Sequence, residues 1–411
     1  MKALRLATVP AGVASGGMAT EARTRDEDAP DLFEVDGNRL HLLIDRERRL
    51  KALLDLIGGA QTELRLLYYI FWDDPVGVQV RDALVAARGR GVKVSLLIDG
   101  FGSERTVDGF FEPLRAAGGS VCRFLPRFGR SYLLRNHQKL ALADGGKALI
   151  GGFNVAAGYF GGSETDWRDL GMLVEGPAAR HLAGYFDMVL GWAQDSKAKM
   201  RTLTRGLRRH SQKHGPLRWL FGGPTQRLSP WARALKSDIG RSRRLDVIAA
   251  YFAPNPGTLR RIGRLAQRGT LRIISAAHSD NTMTIAAARN GYVRLLKRGA
   301  QIWEYQPQKL HTKLFVADDV SYVGSSNFDM RSLYINCEIM LRIEDKALAD
   351  RLHRHFESET GQSREVSLGL LRERAGWWMR AKWKLAYFLV AFVDYTVTRR
   401  LNFRNPGAEI S

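Results

Sequence analysis

Cysteine is nearly absent: Cys122 and Cys337 are the only two in 411 residues. They lack the paired spacing of a disulfide framework or a zinc site. Each sits in a strand-like apolar run, which predicts two buried, reduced thiols and fits a cytosolic face. No uncharged run approaches the ~20 apolar residues that a membrane-spanning helix needs. Near the amino terminus, Lys2 and Arg5 precede small and apolar side chains, but Pro10, Gly12, Gly16 and Gly17 break the run. A secretory signal needs a continuous apolar centre, so residues 1–30 read as a disordered leader. Acidic side chains are scarce: 42 Asp and Glu stand against 63 Lys and Arg, for a formal charge of +21. That imbalance points to an anionic partner: nucleic acid, a negatively charged membrane or a phosphorylated substrate. The plainer reading is an Arg-rich genomic composition that also serves solubility.

The chain does have ample apolar content for a core, 45% of residues, and a length that suggests two to three domains of ~150 residues each. Its organising feature is a repeated motif. His137 to Asp144 reads HQKLALAD, and His311 to Asp318 reads HTKLFVAD. His, Lys and Asp are each displaced by 174 positions. Downstream of each copy lies a second echo, GGFN (Gly151 to Asn154) and GSSN (Gly324 to Asn327). A lone His-x-Lys-x4-Asp occurs by chance in roughly a few per cent of chains this long. Two copies in register do not.

The flanking sequence repeats as well. Residues 32–45 suit a small hairpin or edge strand, and Glu47–Ala60 has helical spacing closed by Gly58-Gly59, a C-cap signal. Apolar runs at 62–72, 92–100 and 120–125 predict strands, with helices at 76–88 and 108–117. The second half repeats the order: strands at 244–252, 270–276 and 300–305, helices at 256–267 and 282–297. Strands separated by helices imply a parallel or mixed sheet covered on both faces. The period of about 170 residues is too long for a solenoid, so two copies packed face to face are expected. Residues 196–218 are basic and polar. They read either as a solvated linker or as a loop against anionic head groups. The tail mixes Trp377, Trp378 and Trp383 with Arg380, Lys382 and Lys384, then runs apolar from Leu385 to Val393. It suits a helix lying in a membrane interface; the rival is a helix capping the core.

On a strand, residues two apart face the same way. His137 and Lys139 therefore share one face, as do His311 and Lys313, while Leu140, Leu142, Leu314 and Val316 help fill the core. Two imidazoles and two ammoniums converging on one point suit a phosphodiester. The lysines neutralise non-bridging oxygens and the charge that builds at five-coordinate phosphorus. Asn154 and Asn327 can donate to the same oxygens, with Ser325 as a further hydroxyl where the first copy has Gly152. One neutral imidazole can attack phosphorus while a protonated one gives its proton to the leaving alkoxide. No metal and no cofactor is expected. The motif spacing groups Asp144 and Asp318 with these catalytic candidates, although both fall at strand ends.

These motifs resemble the phospholipase D superfamily, and within it the bacterial cardiolipin synthases without amino-terminal membrane spans. The resemblance covers residues 35–360. It implies an α/β fold of two tandem phospholipase D-like αβα sandwich domains in a pseudo-twofold pair, plus an amphipathic helical tail. The expected divisions are 31–195 and 219–362, joined by the basic linker 196–218 and followed by the tail 363–411. The resemblance also implies that Asp169 and Glu338 bond the catalytic histidines, that Asp144 and Asp318 are structural, and that His137 is the nucleophile with His311 as acid and then base. The symmetry of the two copies assigns neither role. The implied activity is phosphatidyl transfer through a phosphohistidine to phosphatidylglycerol, at the cytoplasmic face of the inner membrane, by a peripheral protein bound to anionic lipid. Hydrolytic phospholipase D, a metal-independent nuclease and a non-catalytic membrane-binding protein are the rivals. Nucleic acid is the disfavoured partner, because a Trp-rich apolar tail does not serve it. No oligomeric state is implied.

Overall fold

The computed structural model describes residues 31–125, 134–225, 228–279, 282–374 and 376–390. The proposed leader, 1–30, and the end of the tail, 391–411, lie outside them. In the first half the elements are β1 (Leu32–Val35), β2 (Asn38–Leu43), α1 (Arg46–Gly59), β3 (Glu63–Tyr68), α2 (Pro75–Gly89), β4 (Lys93–Asp99), α3 (Glu112–Ala116), β5 (Ser120–Phe124), β6 (Lys139–Ala143), β7 (Lys147–Gly151), β8 (Trp167–Arg168), β9 (Gly171–Glu175) and α4 (Pro177–Gln194). After α5 (Met200–His210) come β10 (Leu217–Gly222), α6 (Pro230–Arg241), β11 (Arg244–Ala249), β12 (Phe252–Ala253), α7 (Pro256–Arg268), β13 (Thr270–Ala276) and α8 (Thr282–Leu296). The chain then forms β14 (Gln301–Tyr305), β15 (Lys309–Leu310), β16 (Lys313–Ala317), β17 (Val320–Gly324), β18 (Phe328–Asp329), α9 (Met330–Tyr334), β19 (Glu338–Glu344), α10 (Lys346–Thr360), β20 (Ser363–Glu365), α11 (Leu368–Arg374) and α12 (Trp377–Phe388).

The duplication is visible in the topology. One eight-stranded sheet runs β1-β2-β9-β7-β6-β3-β4-β5, the other β10-β19-β17-β16-β11-β13-β14-β20. Apart from the edge strands β1 and β20, the order is the same. In each sheet three strands pair in parallel and a meander pairs antiparallel beside them. The helices α1 and α2 cover one outer face, and α6 to α8 cover the other. The inner faces share one core. Leu140, Leu142, Leu314 and Val316 all lie in it, with Trp219 and helices α4 and α10. The alternation within each motif strand thus sends Leu140, Leu142, Leu314 and Val316 to the joint between the halves, and Ala141 and Phe315 to the outer faces.

Three local expectations change. The stretch 196–218 is not a loop: it forms α5, whose Leu203 and Leu207 are fully buried. Two apolar residues four apart suffice to seat a helix turn. Gly58 and Gly59 do not cap α1, which runs through both to Ala60, and neither has a positive φ. Cys337 is fully buried, but Cys122 only partly so; both are free thiols. Of the two readings of the tail, the structure bears out the helix seated on the core. Helix α12 packs on α8 through buried Trp383, Ala386 and Tyr387, while Trp377 and Trp378 stay 67% and 71% exposed. No helix among the described residues is long and apolar enough to cross a membrane.

Candidate active site

The two motif copies meet across the joint, at the carboxyl ends of the parallel strands β3 and β11, where open α/β sheets present ligand sites. Lys139 pairs in register with Tyr68 at the end of β3, and Lys313 with Ala249 at the end of β11. The joint is held by backbone. His137 N–H donates to Cys337 O (2.9 Å), and His311 N–H donates to Arg168 O (2.8 Å). Each histidine thereby grips the residue just before a carboxylate of the other half. Even the variable motif position works here: Gln138 Nε2 donates to Glu338 O (3.1 Å) and Thr312 Oγ1 to Arg168 O (3.3 Å).

The imidazole–carboxylate pairing is crossed. His137 Nδ1 lies 3.1 and 3.2 Å from the two oxygens of Glu338. His311 Nδ1 lies 2.6 Å from Asp169 Oδ2. A histidine whose Nδ1 is tied to a carboxylate has its tautomer and ring direction set, leaving Nε2 for chemistry. Neither dyad exists inside one half of the chain. Lys139 Nζ donates to His137 O (2.6 Å), and Lys313 Nζ to the carbonyl of His311. Both lysines are 1% exposed.

Burial first, and then the two lysines, lower both histidines at this centre. Burial, then Lys139 and Lys313, pulls His137 well below the usual imidazole range. Burial and Lys313 bring His311 down to about 3, against the pull of Asp169. Burial lowers Lys139 to about 7. That each lysine acts on both histidines places the four groups in one cluster. A phosphodiester anion there favours every cationic form that the lysines oppose. The two carboxyls differ. Burial pushes Glu338 up to about 8 despite Lys139. Burial also opposes ionisation of Asp169, but His311, Lys313 and Arg49 outweigh it and hold that carboxyl below its ordinary value.

The Gly-x-x-Asn echoes support this core. Asn154 Oδ1 accepts from Ile70 N–H (3.0 Å), which leaves its amide N–H groups as donors. Asn327 Oδ1 is buried with no hydrogen-bond partner among the described residues. Ser325 faces the carboxylate of its own half. Its hydroxyl donates to Glu338 Oε2 (2.5 Å) and accepts from Ile339 N–H (3.1 Å), so it orients the carboxylate. The glycine in the first copy has a steric cause: a Cβ on Gly152 would lie 2.4 Å from Asp169 Oδ1. Gly152 goes with the shorter acid, Ser325 with the longer one.

Asp144 and Asp318 do not belong with the catalytic candidates. Each sits in a hairpin turn at positive φ, 52° and 51°. Asp144 is at the far end of β6 from Lys139, roughly 16 Å away at ~3.3 Å per residue. Its carboxylate accepts from the backbone N–H groups of Gln61, Thr62 and Glu63 at 2.9, 2.8 and 3.0 Å. Asp318 does the same for Arg243 and Arg244 at 3.1 and 2.8 Å. Burial opposes ionisation of Asp144, but those backbone donors and the Thr62 hydroxyl outweigh it and hold the carboxyl at about 2. Its stabilising contribution is therefore present above the ordinary carboxylate pKa of ~3.9 and is lost as pH falls through the folded value. Asp144→Ala should cost about 1–2 kcal/mol, as does loss of a helix cap, and leave activity per folded molecule unchanged; a thermal melt beside a specific-activity assay checks both.

Sequence reasoning missed several members of the site. Arg49 is 1% exposed, and its guanidinium donates to Ile44 O and Asp169 O (both 2.6 Å) and to Tyr159 O (3.2 Å). It lies four residues before Leu53 on the buried stripe of α1, a position where a charge signals a specific partner. Aromatic rings wall the histidines. Tyr69 packs 4.9 Å from His137, and Tyr159 and Trp167 pack 5.1 and 5.2 Å from His311. Among the described residues no group of three or more His, Cys, Asp or Glu is placed to hold a metal.

A family model described as "Cardiolipin synthase, PLD-like domain" matches residues 53–190 and 235–360, one segment in each half. The chain belongs to this family. Its PLD-like relatives include cardiolipin synthase 1 of Bacillus anthracis, 29% identical over 360 residues, covering 83% of this chain and 70% of that one. Cardiolipin synthase A of Pseudomonas entomophila is 29% identical over 340 residues, covering 80% and 70%. Among solved structures, phosphatidylserine synthase of Haemophilus influenzae superposes over 93% of this chain and 99% of that one, with TM-score 0.68 at 12% identity. That likeness establishes the shared PLD-like fold of two paired α/β halves.

Proposed function

We propose that this chain is a phosphatidyltransferase of the cardiolipin synthase type, acting on phospholipid. The observation that carries the reading is the crossed pair of dyads, His137–Glu338 and His311–Asp169, around two buried lysines in a relative of cardiolipin synthases. In the first step His137 Nε2 attacks the phosphorus of a donor phosphatidylglycerol. An N–P bond forms, the P–O bond to glycerol breaks, and His311 gives its proton to the departing oxygen. In the second step His311 takes a proton from the glycerol hydroxyl of another phosphatidylglycerol. The new P–O bond forms, the N–P bond breaks, and His137 is restored. Lys139, Lys313 and the amides of Asn154 and Asn327 stabilise the equatorial oxygens in both steps. The second dyad suits an acid, since an ionised Asp169 favours an imidazolium at His311.

Incubating the purified chain with phosphatidylglycerol vesicles should yield cardiolipin and free glycerol. Phosphatidic acid as the sole lipid product would make the chain a hydrolase instead, and plasmid cleavage without lipid turnover a nuclease.

Helix α12 supports peripheral binding to an anionic membrane. Its outward face carries Trp377, Trp378, Leu385 and Phe388, all more than half exposed, among Arg380, Lys382 and Lys384. Aromatic, apolar and basic side chains on one rigidly seated helix suit the head-group boundary. Trp377→Ser with Trp378→Ser should lower affinity for anionic vesicles by about tenfold or more, read by co-sedimentation, with turnover of detergent-dispersed lipid unchanged.

A further inference from the structure

The second motif copy carries a further cation just outward of its histidine. Lys309 lies two residues before His311, as His311 lies two before Lys313. The N–H of Lys309 donates to Asp166 O (3.1 Å) and that of His311 to Arg168 O (2.8 Å). The segment is therefore extended, and alternation turns the side chains of Lys309 and His311 to one side. Trp167, the register partner of Lys309, shows this directly. Its ring lies 5.2 Å from the His311 ring and 5.3 Å from Lys309 Nζ. Trp167 is itself stacked on Tyr159 (5.9 Å, 15°), so the plate beside both groups is held in place. Lys309 and Trp167 are each partly exposed.

The carboxylates of the adjoining segments are engaged elsewhere. Asp166 accepts from Ser163, Asp169 faces His311, and Glu359 pairs with Arg168. The first copy has Arg135 at the position of Lys309. There the guanidinium lies 4.1 Å over Phe101 and donates to Leu134 O, while the ring beside His137 is Tyr69. In the second half the cation and the imidazole face one ring.

Joining two phospholipids places two phosphodiesters one glycerol apart. The two buried lysines serve the phosphorus between the imidazoles. The acceptor's own phosphodiester stays intact, and as a second anion it needs a cation of its own near the base. The two ring distances put Lys309 Nζ no more than about 10.5 Å from the centre of the His311 ring. A hydroxyl bonded to His311 Nε2, the five bonds from it to the acceptor phosphorus, and a charge-assisted contact beyond reach roughly 12–14 Å when extended. The ammonium is thus within range of that phosphate while the hydroxyl stays at the reacting centre. We propose that Lys309, lying on Trp167, holds the intact phosphodiester of the acceptor phospholipid and so favours a lipid alcohol over water and free glycerol. This rests on the phosphatidyltransferase reading above.

The test uses the full chain and dihexanoyl phosphatidylglycerol below its micelle concentration, so that no membrane surface contributes. Two products are read side by side: cardiolipin, and phosphatidylglycerol labelled by exchange with radioactive glycerol. Exchange uses the same histidines and the same donor, but its acceptor has no phosphate. In Lys309→Gln cardiolipin formation should fall about tenfold, the scale of one charge-assisted hydrogen bond. Label exchange should stay within about twofold of the parent, because it needs no second phosphodiester. Lys309→Met keeps an apolar stem on Trp167 and should lose as much cardiolipin as Lys309→Gln. Lys309→Arg should retain most of it, and thermal melts verify folding. An unchanged ratio of the two products in Lys309→Gln, or full cardiolipin formation in Lys309→Met, would overturn the proposal and leave the side chain a packing element. A parent that forms no cardiolipin refutes the cardiolipin synthase reading itself, a result distinct from either.

Discussion

His137→Gln should lower phosphatidyl transfer by about 10⁵-fold, the scale seen when a covalent nucleophile is removed. The loss should be in kcat, since the lysines and asparagines that bind phosphate remain. His311→Gln should behave differently with a donor whose leaving group needs no proton, such as a p-nitrophenyl phosphodiester. Bond breaking there does not require an acid, so a burst of nitrophenolate should appear and stop. The covalent adduct should then accumulate on His137, because nothing activates the incoming alcohol. Mass spectrometry of the quenched protein reads this directly. An adduct on His311 in the His137→Gln protein would reverse the two roles. The asymmetry of the dyads argues against that outcome. Asp169 is held in its ionised form by His311, Lys313 and Arg49, which suits a partner that must carry a proton. Burial raises Glu338 despite Lys139, so it favours an imidazolium at His137 less strongly than Asp169 does at His311.

Much of this arrangement was readable in the sequence because it is periodic or repeated. The 174-residue displacement of His-x-Lys-x4-Asp announced two equivalent sheets, and period-two alternation placed Leu140 and Leu314 in the shared core. What escaped depends on contacts across the joint. Nothing in the sequence beside Asp169 or Glu338 states that each serves the histidine of the other half, since the crossing is a property of the pseudo-twofold packing. Gly152 and Ser325 looked like a gain or loss of a phosphate donor, yet each is matched to the length of the acid beside it. Arg49 was passed over because a charged residue is not expected on the apolar stripe of a helix, yet the structure buries it with Leu53, Leu56 and Ile57. Helix α5 was hidden by its charge, with two leucines too few to raise the apolar average.

Glu338→Gln should lower transfer by about 10³- to 10⁴-fold with little change in fold, for the same reason that an amide fails in place of the acid of a catalytic triad. An ionised Glu338 accepts from Nδ1–H and leaves a lone pair on Nε2. An amide nitrogen facing Nδ1 donates instead, moving the ring proton to Nε2 and blocking attack. The same logic gives a pH dependence. When Glu338 holds a proton it also donates to Nδ1 and leaves His137 in the unreactive tautomer. Burial raises Glu338 to about 8, so kcat should climb as pH rises through that region, with the value belonging to the His137–Glu338 pair. Glu338→Gln should abolish this limb, since its amide does not titrate. Ser325→Ala should move the limb to higher pH, because the Ser325 hydroxyl favours the ionised carboxylate. A limb unchanged in both variants would assign that titration to another group, with Lys139, lowered to about 7 by burial, as the next to test.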